Sequence, residues 1–309
     1  MATSSRTLRL SRHGLEARLA GFVRSLRKKR PETRGTYQRA LREFARWVHD
    51  DGRFRFRIED VERYKEHLSR HKELSEVSVS TYLTALRRFC EYLVHLRVLT
   101  ANPARHVDGN KRPQAHSRAF LSGDDVARLL ASVAREDERG KRDYAIIRLM
   151  LDCGLSEIEI IRANIGDIAR GGEGTAVSVQ GKGRIRKDAV VRIPPEVDEA
   201  IAGYLALRSG AGSAEALFTS AGNRTRGRRM STRGVRDRVN MYLEQAGIKQ
   251  GRMRRVTPYS LRHTAARLMA ERGATAEEIR VRMRLGSIAT AQLYLNQQIP
   301  STPGTVEGA

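Results

Sequence analysis

The amino-acid sequence predicts a mainly α protein with a small antiparallel β-sheet, in two domains: a four-helix N-terminal domain and an α+β C-terminal domain. Three observations predict it. Apolar residues recur every three or four positions over most of the chain, the period of an amphipathic helix. The period changes to strand type between Ala176 and Ile193. Gly109 to Arg118 (GNKRPQAHSR) is polar and basic, with a proline and no periodicity, and reads as a linker. A length of 309 residues also favours two domains. The expected division is a flexible N-terminus over 1–12, a helical domain over 13–108, a linker over 109–119, a second domain over 120–297 and a flexible tail over 298–309.

Each element has its own signal. Leu15, Leu19, Phe22, Val23 and Leu26 mark a first helix, followed by the basic run Arg27 to Arg30 and a break at Pro31. Tyr37, Leu41, Phe44 and Val48 line one face of a second helix, and Val61, Tyr64 and Leu68 suggest a short third. Val79, Leu83, Leu86, Cys90 and Leu93 give a long fourth, with Asn102-Pro103 as its stop. In the second domain, Ser122 and Asp125 form a capping-box pattern ahead of Val126, Leu129, Leu130 and Val133. Another helix covers Tyr144 to Asp152. Ala176 to Gln180 and Ala189 to Ile193, joined through Gly181-Lys182-Gly183-Arg184, read as a hairpin. Pro194-Pro195 starts a further helix, and Ser231 or Thr232 caps one through Val235, Val239 and Leu243. Thr257-Pro258 supplies a cap and a first-turn proline before Leu261 to Arg272, with Gly273 as the stop. Thr275 and Glu278 form a second capping box, and a last helix holds Ile288 to Tyr294.

Lys plus Arg number 58 against 35 Asp plus Glu, a formal charge of +23. Such an excess repels itself and persists where a polyanion neutralises it. Nucleic acid is the leading partner. An anionic membrane is the rival, but the sequence has neither an apolar span nor a signal-peptide core, so a cytoplasmic, nucleoid-associated protein is expected. Cys90 and Cys153 lie in apolar helical contexts and read as reduced core thiols. His67 and His71 have the i, i+4 spacing of zinc ligands, but a third ligand is not evident and an exposed helix face is the simpler reading. No Walker motif, dinucleotide fingerprint or two-metal carboxylate cluster is present, and no cofactor or metal is expected.

Gly222 to Arg262 holds eleven arginines and one lysine against Asp237 and Glu244. A guanidinium grips phosphate bidentately and can read guanine edges. Arg233 and Arg236 lie on an expected helix suited to the major groove; Arg224, Arg226, Arg228 and Arg229 lie in a loop better placed for phosphates.

The segment Thr257 to Gln297, TPYSLRHTAARLMAERGATAEEIRVRMRLGSIATAQLYLNQ, closely resembles the C-terminal box of tyrosine site-specific recombinases and phage-type integrases. In that family His-x-x-Arg is followed about thirty residues later by Tyr, with a His or Trp between. Asp152 to Ile160 resembles the family's Gly-Leu-Arg-x-x-Glu box, Gly181-Lys182-Gly183 its Gly-Lys-Gly turn, and the four N-terminal helices its SAM-like core-binding domain. The boxes occur in the family's order, and the resemblance runs from about Leu15 to Gln297.

The resemblance implies an Xer-like two-domain recombinase with an atypical site. Tyr294 matches the nucleophile, which attacks a DNA phosphodiester and holds the strand as a 3′-phosphotyrosyl ester. Arg262 matches the second catalytic arginine, Lys182 the general acid and Glu159 the acidic position of the first box. His263 follows Arg262 and is expected to orient its neighbours or touch DNA. Three positions depart from the pattern. Ser156 stands in place of the first arginine, and Tyr259 in place of the usual His. Leu285, or Ser287 if a gap is allowed, stands where the second His or Trp belongs. A missing charge donor at an oxyanion typically costs about 3–4 kcal/mol, so Ser156 matters most. Arg148 and Arg162 flank the box as possible substitutes.

Two functions of different class follow. One is a recombinase that clamps DNA between its two domains, assembles on two sites as a homo-tetramer or with a second recombinase, and passes through a Holliday junction. The other is a catalytically impaired relative that binds DNA as an accessory subunit. A type IB topoisomerase-like relaxing enzyme shares the chemistry, but the helical N-terminal domain argues for recombination.

Overall fold

The computed structural model describes residues 10–29, 31–109, 119–208, 210–222, 225–249 and 256–296. Most of the expected linker, nearly all of both expected flexible ends and Arg224 lie outside these residues. The chain splits into two compact units, residues 1–113 and 114–309.

The first unit is helical. Helices α1 (Arg12–Ser25), α2 (Pro31–Asp51), α3 (Ile58–Glu66) and α4 (Glu76–His95) enclose one core. Ser11 caps α1 by accepting from the amide of Gly14, and Ser75 caps α4 by accepting from that of Ser78, as polar N-caps do. Phe44 sits at the centre, edge-on to Phe54 and Tyr64 at centroid distances of 5.1 and 5.2 Å, and Leu83, Leu86 and Phe89 of α4 close over it. Helix α4 ends at His95, earlier than Asn102-Pro103 suggests. Arg97 takes the left-handed conformation, with φ +56°, and the Val98 amide returns to the Leu93 carbonyl at 2.9 Å, a C-cap that closes the helix without proline. Asn102 instead ties the following segment to α4 by donating to the Arg87 carbonyl.

Beyond α3 the chain makes a π-helical turn, His67–His71. The His67 ring is half-buried against Trp47 and Tyr64 rather than displayed on an open face, and His71 stacks on it at 5.6 Å. Among the described residues no group of three or more His, Cys, Asp or Glu is placed to hold a metal ion.

The second unit is built around α6 (Glu138–Asp152), whose Ala145, Ile146, Ile147, Leu149 and Met150 are buried. Around it lie α5 (Gly123–Ala131), α7 (Glu157–Arg162), α8 (Pro195–Leu205), α9 (Thr232–Gln245) and α10 (Pro258–Glu271). The Ser122–Asp125 box starts α5 as expected, each backbone amide donating to the other's side chain at 3.1 Å. Asp143 of α6 is buried and accepts from Arg142, from Arg238 at 2.6 Å and from the Tyr242 hydroxyl at 3.2 Å, which ties α6 to α9.

The sheet has three antiparallel strands in the order β1 (Ile168–Gly171), β2 (Gly174–Val179), β3 (Ala189–Ile193). The hairpin of β2 and β3 is the expected one. Strand β1 is additional: three of its four residues are exposed, so it lacks an apolar alternation to announce it. Helices α11 (Ala276–Arg282) and α12 (Ile288–Leu295) finish the unit and form a small separate core with α10, made of Ala265, Ala266, Ile279, Met283, Ala291 and Tyr294. Both cysteines are unpaired and buried; burial pushes the Cys153 thiol up to about 12, so it stays protonated and inert. Among the described residues no helix is long and apolar enough to cross a membrane.

Because each unit has its own core, damage should stay local. Phe44→Ala is expected to destabilise the first unit by about 3–5 kcal/mol. In the full chain, hydrogen exchange should accelerate through α2 and α4 while α6 and α10 keep their protection.

Candidate active site of the second unit

The site begins at the turn after α6. Gly154 has φ +60°, which favours glycine, and a β-carbon there would lie 2.6 Å from Met283 Sδ, so that side chain would have to move. The turn leaves the Gly154 carbonyl facing inward and starts α7 at Ser156. The Ser156 amide and hydroxyl both donate to Glu159 Oε2, at 2.7 and 2.8 Å. Ser156 therefore fixes the rotamer of Glu159, whose residue is 2% exposed.

Two guanidinium groups close on that carboxylate. Arg262, buried on α10, donates from Nη1 to Glu159 Oε2 at 3.0 Å and to the Gly154 carbonyl, and from Nη2 to the Met283 carbonyl. Arg284, just beyond α11, donates from Nε to Glu159 Oε1 at 2.5 Å and from Nη2 to Glu159 Oε2 and the Gly154 carbonyl, both at 3.0 Å. Burial pushes the Glu159 carboxyl upward, but the Arg284 hydrogen bonds, the charges of both arginines and the Ser156 amide outweigh it and hold the group below its ordinary range. One carboxylate between two guanidinium ions leaves a net positive charge in a poorly solvated place, which favours an anion.

The β2–β3 turn reaches the same carboxylate. Arg162 Nη1 donates to the Gly181 carbonyl at 2.8 Å, and a β-carbon on Gly181 would lie 3.7 Å from Glu159 Oε1. Lys182, the next residue, is exposed beside this point. Gly183 turns the chain with φ +90°.

Tyr294 joins the site through α10. It is 3% exposed, and its hydroxyl lies 2.7 Å from Nδ1 of His263, the residue after Arg262. Arg267 Nη1 donates to the Tyr294 carbonyl at 3.1 Å, and the Tyr259 ring stands edge-on to His263 at 4.9 Å. His263, expected to orient its neighbours or touch DNA, is buried against Tyr294, because α10 turns it into the unit.

The other expected residues separate by their bonding. Arg233 is exposed, with a loose pair to Asp237 at 3.5 Å. Arg226 and Arg228 are also exposed. Arg236 is partly exposed and donates to Glu157 at 3.1 Å. Arg229 bonds the carbonyls of Ile161 and Ala163 and the Asn164 side chain, so its guanidinium braces the end of α7. Neither suggested substitute for the missing arginine joins Glu159: Arg148 pairs with Asp152 at 2.6 Å, and Arg162 holds Gly181. Leu285 packs on the small core, and Ser287 stands at the N-cap position of α12 with its hydroxyl 3.0 Å from that of Thr290. The residue that sequence reasoning passed over is Arg284, directly before Leu285; a basic residue next to the position lacking its donor was the available signal.

Two sequence patterns match the chain. That of the phage integrase family covers residues 119–299, and that of the phage integrase N-terminal SAM-like domain covers residues 19–98. The chain belongs to the phage integrase family. Tyrosine recombinase XerC of Shigella flexneri serotype 5b is 34% identical over 227 residues, 73% of this chain and 72% of its own. Tyrosine recombinase XerC of Escherichia coli O127:H6 is 32% identical over 267 residues, 85% of each chain. Among solved structures, the XerH site-specific recombinase bound to its palindromic difH substrate has a TM-score of 0.70 at 17% identity, covering 92% of this chain and 80% of that one. A lambda integrase dimer bound to a COC′ core site has a TM-score of 0.66 at 14% identity, covering 92% and 95%. These two likenesses concern the fold, which this integrase-family chain shares along most of its length.

The Glu159 carboxyl, held below its unfolded value, contributes stability that is fully present above the ordinary glutamate value of about 4.3 and is lost as pH falls through the folded value. Glu159→Gln leaves two buried guanidinium ions facing a neutral amide and is expected to destabilise the second unit by about 3–5 kcal/mol at neutral pH. In denaturant titrations the gap between wild type and this variant should narrow steadily as pH is lowered through the acid range.

Proposed function

We propose that this integrase-family protein is a site-specific tyrosine recombinase that cuts and rejoins DNA strands through a 3′-phosphotyrosyl intermediate at Tyr294. The observation that carries the reading is the contact between the Tyr294 hydroxyl and His263 Nδ1, one residue from a guanidinium bound to a buried carboxylate. A phenol ordinarily ionises near pH 10, so attack near neutral pH needs a proton acceptor. With its proton on Nε2, His263 offers Nδ1 as that acceptor. The Tyr294 oxygen attacks phosphorus, its proton passes to His263, and the bond to the 5′ oxygen breaks. Lys182 gives that departing oxygen a proton. The tyrosyl ester keeps the bond energy, so the reverse steps reseal a strand.

Arg262 stabilises charge on the non-bridging oxygens in the pentacoordinate state. Glu159 and Ser156 act one step back by fixing the guanidinium. Tyr259 flanks the imidazole and limits where it can tilt. Exposed Arg226, Arg228, Arg233 and partly exposed Arg236 supply contacts to double-stranded DNA at a specific recombination site. On that site the protein assembles as a homo-tetramer, or with a second recombinase.

Ser156 favours a second reading, an accessory subunit that binds DNA without cleaving it, because a hydroxyl carries no charge. One experiment separates the two. A site is first located by footprinting on DNA flanking the protein's own coding region, and a nicked version of it is incubated with protein. Wild type should form a denaturant-resistant covalent adduct; Tyr294→Phe should bind the site with similar affinity and form none. Footprinting without adduct in the wild type would establish the accessory reading, and an adduct retained in Tyr294→Phe would remove Tyr294 from the chemistry.

A further inference from the structure

A poorly exposed arginine needs a reason, and Arg284 needs two. It adopts φ +53°, a left-handed conformation that costs an ordinary residue about 1–2 kcal/mol. Its side chain is only 12% exposed, beside a carboxylate that Arg262 already pairs with at 3.0 Å. One guanidinium suffices to neutralise Glu159. The second brings an uncompensated charge into the same place, where leaving a charge unpaired is destabilising. An arrangement that is unfavourable in the empty protein and favourable with an anion describes a binding site for an anion.

The hydrogen bonds show what remains available. A guanidinium has five N–H bonds. Among the described residues Arg284 donates one from Nε to Glu159, two from Nη2 to Glu159 and Gly154, and one from Nη1 to the Arg282 carbonyl, which leaves one on Nη1. Within the same described residues Arg262 donates two from Nη1 and one from Nη2, which leaves Nε and one on Nη2. Both groups share the Gly154 carbonyl and Glu159 Oε2 as acceptors, so these remaining donors belong to one compact cluster.

We propose that Arg284 is a catalytic residue, the second guanidinium of the phosphoryl-transfer centre, supplying from beyond α11 the positive charge that Ser156 does not supply from the start of α7. This rests on the recombinase reading above. The two arginines then divide the non-bridging oxygens of the scissile phosphate between them, and Ser156 serves to orient the carboxylate that holds both. Nothing is transferred to or from Arg284; it acts by charge and hydrogen bonding alone.

The test must separate contact with phosphate from bracing of Glu159. Strand cleavage is measured on the footprinted site, once with the natural phosphodiester and once with a methylphosphonate at the scissile position, where a methyl group replaces one charged oxygen. Arg284→Ala should cleave the phosphodiester about 100- to 1,000-fold more slowly than wild type, with affinity for the site changed only severalfold. On the neutral methylphosphonate the difference from wild type should shrink to less than tenfold in one of the two stereoisomers. Melting curves check folding. If the alanine variant does not fold, Arg284→Lys carries the same comparison, since it keeps the charge and loses the fork. Wild-type cleavage with an equal loss on both substrates, or with no loss, would overturn the role of Arg284 alone. Absence of wild-type cleavage on a bound site would overturn the recombinase reading, and this inference with it.

Discussion

The second unit depends on how one carboxylate is held. Glu159 lies on a short helix that has little stability of its own, yet its two oxygens receive donors from Ser156, Arg262 and Arg284. Those residues come from α7, α10 and the segment after α11, and the β2–β3 turn closes beside them at Gly181. Remove the negative charge and four pieces of chain lose their common point. The same bonds that fix the site also join the small core of α10, α11 and α12 to the turn after α6, since Met283 packs over Gly154 and accepts from Arg262.

Helix α10 then sets two directions from adjacent residues. Successive side chains on an α-helix diverge by about 100°, so Arg262 can meet Glu159 while His263 turns toward Tyr294. In the mechanism proposed above, that spacing separates charge stabilisation from proton handling without separating them in sequence. The imidazole that meets the Tyr294 hydroxyl thus comes from residue 263, while Tyr259 stands edge-on to it and Leu285 packs on the small core.

Much of this was legible because it is local. Caps, prolines and apolar spacing place α5, α10 and α11, and the Gly-Lys-Gly turn between two apolar runs places the hairpin. Strand β1 was not legible, since its exposed residues carry no alternation, although the run Gly171-Gly172-Glu173-Gly174 is the kind of sequence a tight hairpin uses. The end of α4 was misplaced because a left-handed Arg97 closes it, and arginine is not a residue that announces such a turn. Arg284 escaped for a different reason. Its partner lies 125 residues away, and no periodicity records which of many arginines will meet a given carboxylate.

Much of the positive charge behind the net +23 is engaged within the protein. Arg142 and Arg238 are committed to Asp143, Arg229 and Arg162 to backbone carbonyls, and Arg262 and Arg284 to Glu159. These arginines hold loops and helices in place, and their planar forks suit carbonyl and carboxylate partners better than a lysine would. Arg226, Arg228 and Arg233 remain open to solvent, where counterions gather and are released when phosphates replace them. In the function proposed above, affinity for DNA at large and chemistry at one phosphate draw on different arginines, and salt should weaken the first far more than the poorly exposed second.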